Sequence, residues 1–264
     1  MEEKTWQFAD GAEYPWQYKY EHAAVTNDCV IFTYIKPDLK VLLVERGGEP
    51  YKGRLALPGG FLRNDETAEE GAMRELKEET NLKLLKLAKK LSSPLTQFGV
   101  FSDPERDPRE RVITIGWYGF VRPVDVQGGS DAAHAGWYPL SEEVLSGLAF
   151  DHRRIIEAAL DRIRTDIGIK PVGFELLDKE FSFPDLQRLY ETILGGELDR
   201  GNFQRHWLSR GYIEKTADFD VNRISTSSKK IGRPSPLYRF NKDKYEEEYE
   251  GGIAKGIKKP TTQK

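Results

Sequence analysis

Apolar and polar positions alternate along the chain in two registers, one strand-like and one helix-like. Residues 29–35 and 41–45 are apolar, β-branched runs separated by the turn signal Pro37-Asp38, which predicts a β-hairpin. Residues 111–121 predict a further strand, long and aromatic. Thr67 and Glu70 form a Thr-x-x-Glu capping box that starts a helix running to about Thr80, with Ala68, Ala72 and Leu76 as its buried seam. Ile155, Ile156, Ala159, Leu160 and Ile163 recur at helical spacing and predict an amphipathic helix that closes this region. Gly168-Ile-Lys-Pro171 then breaks the pattern.

The remainder reads as helix, turn, helix, hairpin. Ser182 with Asp185 is a capping arrangement, and Gly195-Gly196 stops the helix after Leu194. Asp199 caps a second helix over 200–210, which Gly211 ends. Residues 212–215 and 237–240 predict short strands joined by a long basic loop. Residues 251–264 are rich in Gly and Lys, lack periodicity and read as a disordered tail. The expected organisation is a mixed α/β domain over 1–167, a helix-turn-helix domain over 168–250 and the tail over 251–264.

At 264 residues with 38% hydrophobic side chains, the chain is long enough for two packed domains. No stretch approaches the roughly 18 uninterrupted apolar residues of a membrane helix, so no membrane partner is expected. The single Cys29 excludes an intramolecular disulfide and a Cys-based zinc cluster, and reads as a small buried hydrophobe in a strand. A reducing, cytoplasmic setting is the expectation.

Charge is distributed unevenly. Residues 1–167 carry 22 Lys/Arg and 28 Asp/Glu, a net −6, whereas residues 168–264 carry 18 and 15, a net +3. Within 200–239 there are nine basic residues against three acidic ones, although the whole chain is at −3. A nucleic-acid partner is therefore suggested by the second region alone.

Glu75, Glu78 and Glu79 stand at i, i+3 and i+4 of the predicted helix, so their carboxylates converge on one face. Like charges that close repel unless something positive lies between them, and a hard cation such as Mg²⁺ prefers such oxygen ligands. The alternative is an exposed, charge-rich helix. The surrounding string is more specific: Gly60, five residues, Glu66, seven residues, then Arg74-Glu75-Leu76-Lys77-Glu78-Glu79-Thr80-Asn81-Leu82. It resembles the signature of the Nudix hydrolase superfamily, departing only at Asn81, where the family has glycine. That position needs a left-handed residue, which Asn tolerates best after Gly.

The resemblance implies an α/β Nudix fold, a mixed sheet between helices. It assigns Glu75, Glu78 and Glu79 as metal ligands, Glu66 and Arg74 as their catalytic support, and metal-assisted water attack on a diphosphate as the chemistry. Residues 99–112 form a polar, proline-stiffened loop before a strand, similar to the segment in ADP-ribose pyrophosphatases. Arg46, Arg54, Arg109 and Arg111 are candidates to clamp a diphosphate, and Phe101 or the Tyr14/Trp16 pair to stack on adenine. Phe150-Asp151-His152 is similar to an Ala-Phe-Asp-His element of that subgroup, with His152 as a helix cap or a phosphate contact. For each residue the alternative is a surface ion pair or a core contact.

On the helix over 200–210, Phe203, Trp207 and Leu208 are expected on the packed side. Gly201, Asn202, Arg205, His206 and Ser209 are expected on the other. That outward set suits base edges and phosphates and includes no carboxylate. With Arg200 at the start of the helix, and Lys229, Lys230 and Arg233 in the following loop, a winged helix-turn-helix is the natural reading. An ordinary helical dimerisation domain is the alternative. A Nudix domain followed by a winged helix-turn-helix resembles the NrtR regulators. The resemblance rests on the Nudix string, Ala149-Phe-Asp-His152, Asp199-Arg-Gly-Asn-Phe203 and Gly232-Arg-Pro-Ser-Pro-Leu-Tyr-Arg239.

What the NrtR resemblance implies is a homodimeric repressor of NAD-metabolism genes. It would bind operator DNA and release it on binding ADP-ribose as effector, with Mg²⁺ as the associated cation and hydrolysis weak or absent. Because the acidic residues are intact, a Mg²⁺-dependent ADP-ribose pyrophosphatase with an accessory domain stays open, as does a sugar-sensing regulator.

Overall fold

The computed structural model describes residues 22–82, 95–129, 132–167, 171–217 and 236–245. Tyr14, Trp16, Lys229, Lys230 and Arg233, the basic loop and the tail lie outside the described residues.

The predicted hairpin forms as β1 (Ala24–Ile35) and β2 (Asp38–Arg46), antiparallel with Ile35 opposite Asp38 across the Lys36-Pro37 turn. β1 is buried on both faces, which is why its sequence runs apolar without alternation. Cys29 and Ile31 join one core, Val30 and Phe32 the other. Short strands β3 (Leu55–Ala56) and β4 (Gly59–Phe61) follow, then α1 (Ala68–Thr80), β5 (Thr96–Phe101), β6 (Val112–Phe120) and β7 (Ala132–Pro139). The seven strands form one mixed sheet in the order β3-β2-β1-β6-β5, with β4 added on β1 and β7 on β2. β1 and β6 are parallel and the other pairs antiparallel. Residues 99–101, expected in a loop, belong to β5 and pair with β6; the loop begins after them.

α1 covers one face of the sheet, where Ala72 and Leu76 meet Cys29, Ile31, Leu42 and Trp117. Its start has the full capping box between Thr67 and Glu70, and its end places Asn81 at φ 55° with its N–H donating to Lys77 O. The left-handed position that the sequence required is thus filled by Asn. After the short helix α2 (Glu142–Ser146), α3 (His152–Ile167) covers the opposite face with Ile155, Ile156, Ala159 and Ile163. Cys29 is fully buried with its thiol directed at Ala72 O, and burial pushes its pKa up.

The second region contains a 3-10 turn (Phe174–Leu176), β8 (Phe181–Ser182), α4 (Phe183–Leu194), α5 (Arg200–Arg210), β9 (Ile213–Ala217) and β10 (Leu237–Phe240). The strand pair expected from the sequence is extended to three by β8, in the order β8-β10-β9. Both predicted caps form: Ser182 and Asp185 bond reciprocally, and Asp199 accepts from Asn202 N at 2.7 Å. Gly195 and Gly211 end their helices at φ 74° and 66°, where an L side chain would be strained.

One apolar cluster runs from the sheet through α3 into Phe174, Leu186, Leu189, Tyr190 and Trp207. Polar contacts reinforce this junction. Lys36 Nζ lies 3.1 Å from Asp185 Oδ1, Thr192 Oγ1 donates to Pro37 O, and Arg122 donates to Glu175 O and Leu177 O. No helix among the described residues is long and apolar enough to cross a membrane.

Candidate functional site

The acidic signature is assembled by glycines that bring backbone close to carboxylates. β4 runs beside β1, with Gly59 opposite Asp28 and Gly60 opposite Asn27. A Cβ on Gly59 would lie 2.0 Å from Asn27 O, so no side chain fits there, and one on Gly60 would lie 2.5 Å from Glu75 Oε1 and displace that carboxylate. Gly59 N donates to Glu79 Oε2 at 2.9 Å.

Arg74 is the hub of this face. Its Nε donates to Glu66 Oε2 at 2.8 Å, its Nη1 to Glu75 Oε1 at 2.6 Å and to Glu78 Oε2 at 3.2 Å, and its Nη2 to Phe61 O and Glu66 Oε1. The two-pronged contact with Arg74, aided by Arg63 N, holds the Glu66 carboxyl at about 2. The positive charge expected between the carboxylates is therefore supplied, for Glu66, Glu75 and Glu78, by the chain's own guanidinium. Glu79 has no such partner. Burial pushes its pKa up to about 8, with Glu75 and Asp28 adding to the rise and Gly59 N and Arg46 opposing it. Among the described residues, no group of three or more His, Cys, Asp or Glu side chains is gathered as a metal site. The oxygen-only donor chemistry of Glu75 and Glu79, and the uncompensated charge that Glu79 would carry, fit a hard divalent cation such as Mg²⁺.

Beside the acidic face lies a cationic, aromatic cluster. Arg46 sits over the Phe150 ring at 4.8 Å and donates to Pro50 O at 2.7 Å. Arg109 lies 5.6 Å from Phe150 and 5.4 Å from Phe61, braced by Asp107 through two bonds of 3.0 and 2.7 Å. Arg54 lies over Tyr51, which meets Phe150 edge-on at 4.9 Å. Burial and the nearby Arg109 lower the pKa of Arg46, a condition that an anion between the two guanidiniums would relieve. Tyr51 and Phe150 both take positive φ, 65° and 52°, placing their rings in this cluster by unusual backbone. Phe101 and Arg111 stand elsewhere: Phe101 packs on Phe98 and over Gly116, and Arg111 donates to Asp103 O.

A buried charge network backs the cluster. The Arg106 side chain is only 4% exposed and bonds Asp28 Oδ2 at 3.1 Å and Asp151 Oδ1 at 2.8 Å. His152 Nδ1 accepts from Leu57 N at 2.8 Å, and its Nε2 lies 3.5 Å from Asp28 Oδ1. Burial lowers the His152 pKa, so the ring is neutral at pH 7, and both nitrogens face protein groups. Asp28 and the roles of Arg106, Tyr51 and Phe61 had no signal in the sequence, because the pairings of Arg106 with Asp28, Tyr51 with Phe150 and Phe61 with Arg109 join residues distant in the chain.

On α5, Trp207 is the buried anchor, packed edge-on against Phe174 and Tyr190 and near Phe203. Gly201, Asn202, Arg205, His206 and Ser209 are exposed, as the helical spacing predicts, and so is Arg200 at the start of the helix. Leu208 is the correction: it is 45% exposed and not part of the packed side, because it lies about 100° around the helix from Trp207. Desolvation on its packed edge and the nearby Arg210 lower the His206 pKa.

Residues 27–159 match the NUDIX domain family, half of the chain, and residues 173–240 match the NrtR DNA-binding winged helix domain. The ADPR responsive transcriptional repressor NtrR of Acinetobacter baylyi is 29% identical over 231 residues, covering 86% of this chain and 86% of that protein. An ADP-ribose pyrophosphatase of Methanocaldococcus jannaschii is 43% identical over 138 residues, 52% of this chain and 73% of that one. The crystal structure of Shewanella oneidensis NrtR complexed with a 27mer DNA matches with a TM-score of 0.63 at 28% identity, covering 84% of this chain and 95% of that one. Signature, sheet and winged helix together place the chain in the Nudix family, in the NrtR-type arrangement of a Nudix domain followed by a winged helix domain.

Proposed function

We propose that this chain is an ADP-ribose-responsive transcriptional repressor of NAD-metabolism genes, acting as a homodimer on operator DNA. The observation that carries this reading is the outer face of α5. Arg200, Asn202, Arg205, His206 and Ser209 are exposed, the helix contains no acidic residue, and Trp207 fixes its orientation from below. A pyrophosphatase has no use for such a helix, whereas a duplex offers phosphates and base edges to it. The relatives whose names specify ADP-ribose response and DNA binding support the same reading. Lys229, Lys230 and Arg233 would extend the contact as a basic wing.

In this proposal Arg46 and Arg109 hold the diphosphate, with Arg54 beside them and Phe150 or Phe61 offering a ring face to the base. Asp28, Arg106 and His152 act as positioning residues behind the site. The β1–β2 hairpin links the two regions. It carries Asp28 and Arg46 near the ligand site, and its turn holds α4 through Lys36 with Asp185 and Pro37 with Thr192. A ligand that tightens one end of the hairpin has a direct mechanical route to the helix that seats α5. It acts only through different affinities for the DNA-competent and incompetent forms. Moving the population from 99% bound to 99% free needs about a 10⁴-fold preference.

A hydrolytic second reading is favoured by the uncompensated Glu79 and by the 43% identical pyrophosphatase relative. There Glu79 and Glu75 would hold Mg²⁺, which would activate water against the diphosphate. Arg74 would keep Glu66 and the signature loop in place.

The deciding experiment binds the full chain to the DNA upstream of its gene at moderate salt and titrates ADP-ribose. Release by ADP-ribose, and not by AMP or ribose-5-phosphate, is expected. Turnover of ADP-ribose to those two products with Mg²⁺, without specific DNA binding, would return the chain to the hydrolases.

A further inference from the structure

Leu208 stands out on α5. It is 45% exposed, and with Gly201, Gln204, Arg205 and Ser209 it lines one shallow depression on the outer side of the helix. Residues 201, 204, 205 and 208 follow the i, i+3, i+4, i+7 spacing of a single stripe. A lone exposed leucine is ordinary; its setting is what calls for a partner. The helix presents Arg200, Arg205 and Arg210 and no carboxylate, which favours a polyanion over an apolar protein surface. Gly201, in the first turn of the helix, lies in the same stripe. A Cβ there would meet only Asp199 Oδ1, at an ordinary 3.6 Å, so packing within the chain does not require the glycine. Its absent side chain leaves room for something outside to approach.

We propose that Leu208 determines sequence specificity by packing on the C5-methyl group of a thymine in the major groove, with Gly201 letting the groove wall approach the helix. The thymine methyl is the apolar feature that this groove offers, and it distinguishes thymine from every other base edge. This rests on the DNA-binding reading above. Arg205 and Gln204, on the same stripe, supply the adjoining polar contacts.

The test uses the full chain and the tightest duplex that it recovers from a randomised pool. Each thymine is replaced in turn by deoxyuridine, which removes only the methyl group. One thymine per half-site should weaken wild-type binding about fourfold, the effect of burying roughly one methyl-sized group. Leu208→Ala should bind the thymine and deoxyuridine duplexes equally, with its salt dependence unchanged. Leu208→Met, which keeps an apolar chain of similar volume, should restore the discrimination. Discrimination retained in Leu208→Ala would overturn the proposal, as would a wild type indifferent to every replacement. A change of oligomeric state in Leu208→Ala with discrimination intact would assign the residue to a protein contact instead. Recovery of no duplex at all would overturn the DNA-binding reading itself, a different failure from binding without methyl dependence.

Discussion

Two charged helices are built in opposite ways. On α1 the charges are wired into the protein: one arginine, Arg74, engages Glu66, Glu75, Glu78 and a backbone carbonyl, and Glu79, half-buried, accepts from Gly59 N. On α5 the charges stand in water, on a helix seated by Trp207 and Phe203 and capped by Asp199. Wired charges fix geometry and pKa, as a small-molecule site requires. Solvated charges leave affinity adjustable by salt, as binding to a polyanion requires. In the proposed function the same residue types serve recognition of a ligand in one place and of a long surface in the other.

Removing the hub should break this contrast most severely. Arg74→Ala leaves the largely buried carboxylates of Glu66 and Glu75 without their cation, and we expect a loss of roughly 3–5 kcal/mol in stability by denaturant unfolding. An unchanged midpoint would mean that the face is not held by Arg74. Arg205→Ala together with Arg233→Ala should have the opposite profile: about a hundredfold or greater loss of operator affinity by fluorescence anisotropy, with stability and ADP-ribose affinity within twofold of wild type. Loss of ligand binding in that variant would contradict the division of labour.

The pH dependence sharpens the comparison. Glu79 titrates at about 8 in the folded protein, above its ordinary value of about 4.5, so its burial is free of penalty when protonated. Stability from this group is fully present below about 4.5 and declines as pH rises through 8. Glu79→Gln should flatten that decline in thermal unfolding between pH 5 and 8.5, and Mg²⁺ should reduce it in the wild type. Glu66, held at about 2, works the other way: its contribution is present above about 4.5 and is lost as pH falls toward 2. The smallest effect belongs to Glu78→Gln, whose side chain is 39% exposed: within about 1 kcal/mol in stability and no change in DNA affinity.

Local chemistry was readable in the sequence and distant pairing was not. The caps of α1, α4 and α5 were legible because Thr67, Ser182 and Asp199 bond to residues three positions on, and Asn81, Gly195 and Gly211 end their helices by backbone conformation alone. β7 and β8 were not, since each exists through hydrogen bonds to a strand far away in the chain. The acidic face was legible as a string, yet the role of Arg74 in neutralising it, and the burial that sets Glu79 apart, depend on β4 lying against β1. The partners of the Arg106 side chain are distant in sequence: Asp28 and Asp151 come to it from opposite ends of the Nudix region. Leu208 is expected beside Trp207 from the helical spacing, yet the step of about 100° from Trp207 is enough to put it outside.

In the proposed function the Arg46–Arg109 cluster beside α1 is coupled to the outer face of α5, ADP-ribose at the first lowering the affinity for DNA at the second. Linkage requires the effect to be reciprocal. The direct test is the affinity of the full chain for ADP-ribose, measured by calorimetry without DNA and again with saturating operator duplex. The account predicts that the duplex weakens ADP-ribose binding by the same factor by which ADP-ribose weakens duplex binding. Equal ADP-ribose affinity in the two conditions would contradict it.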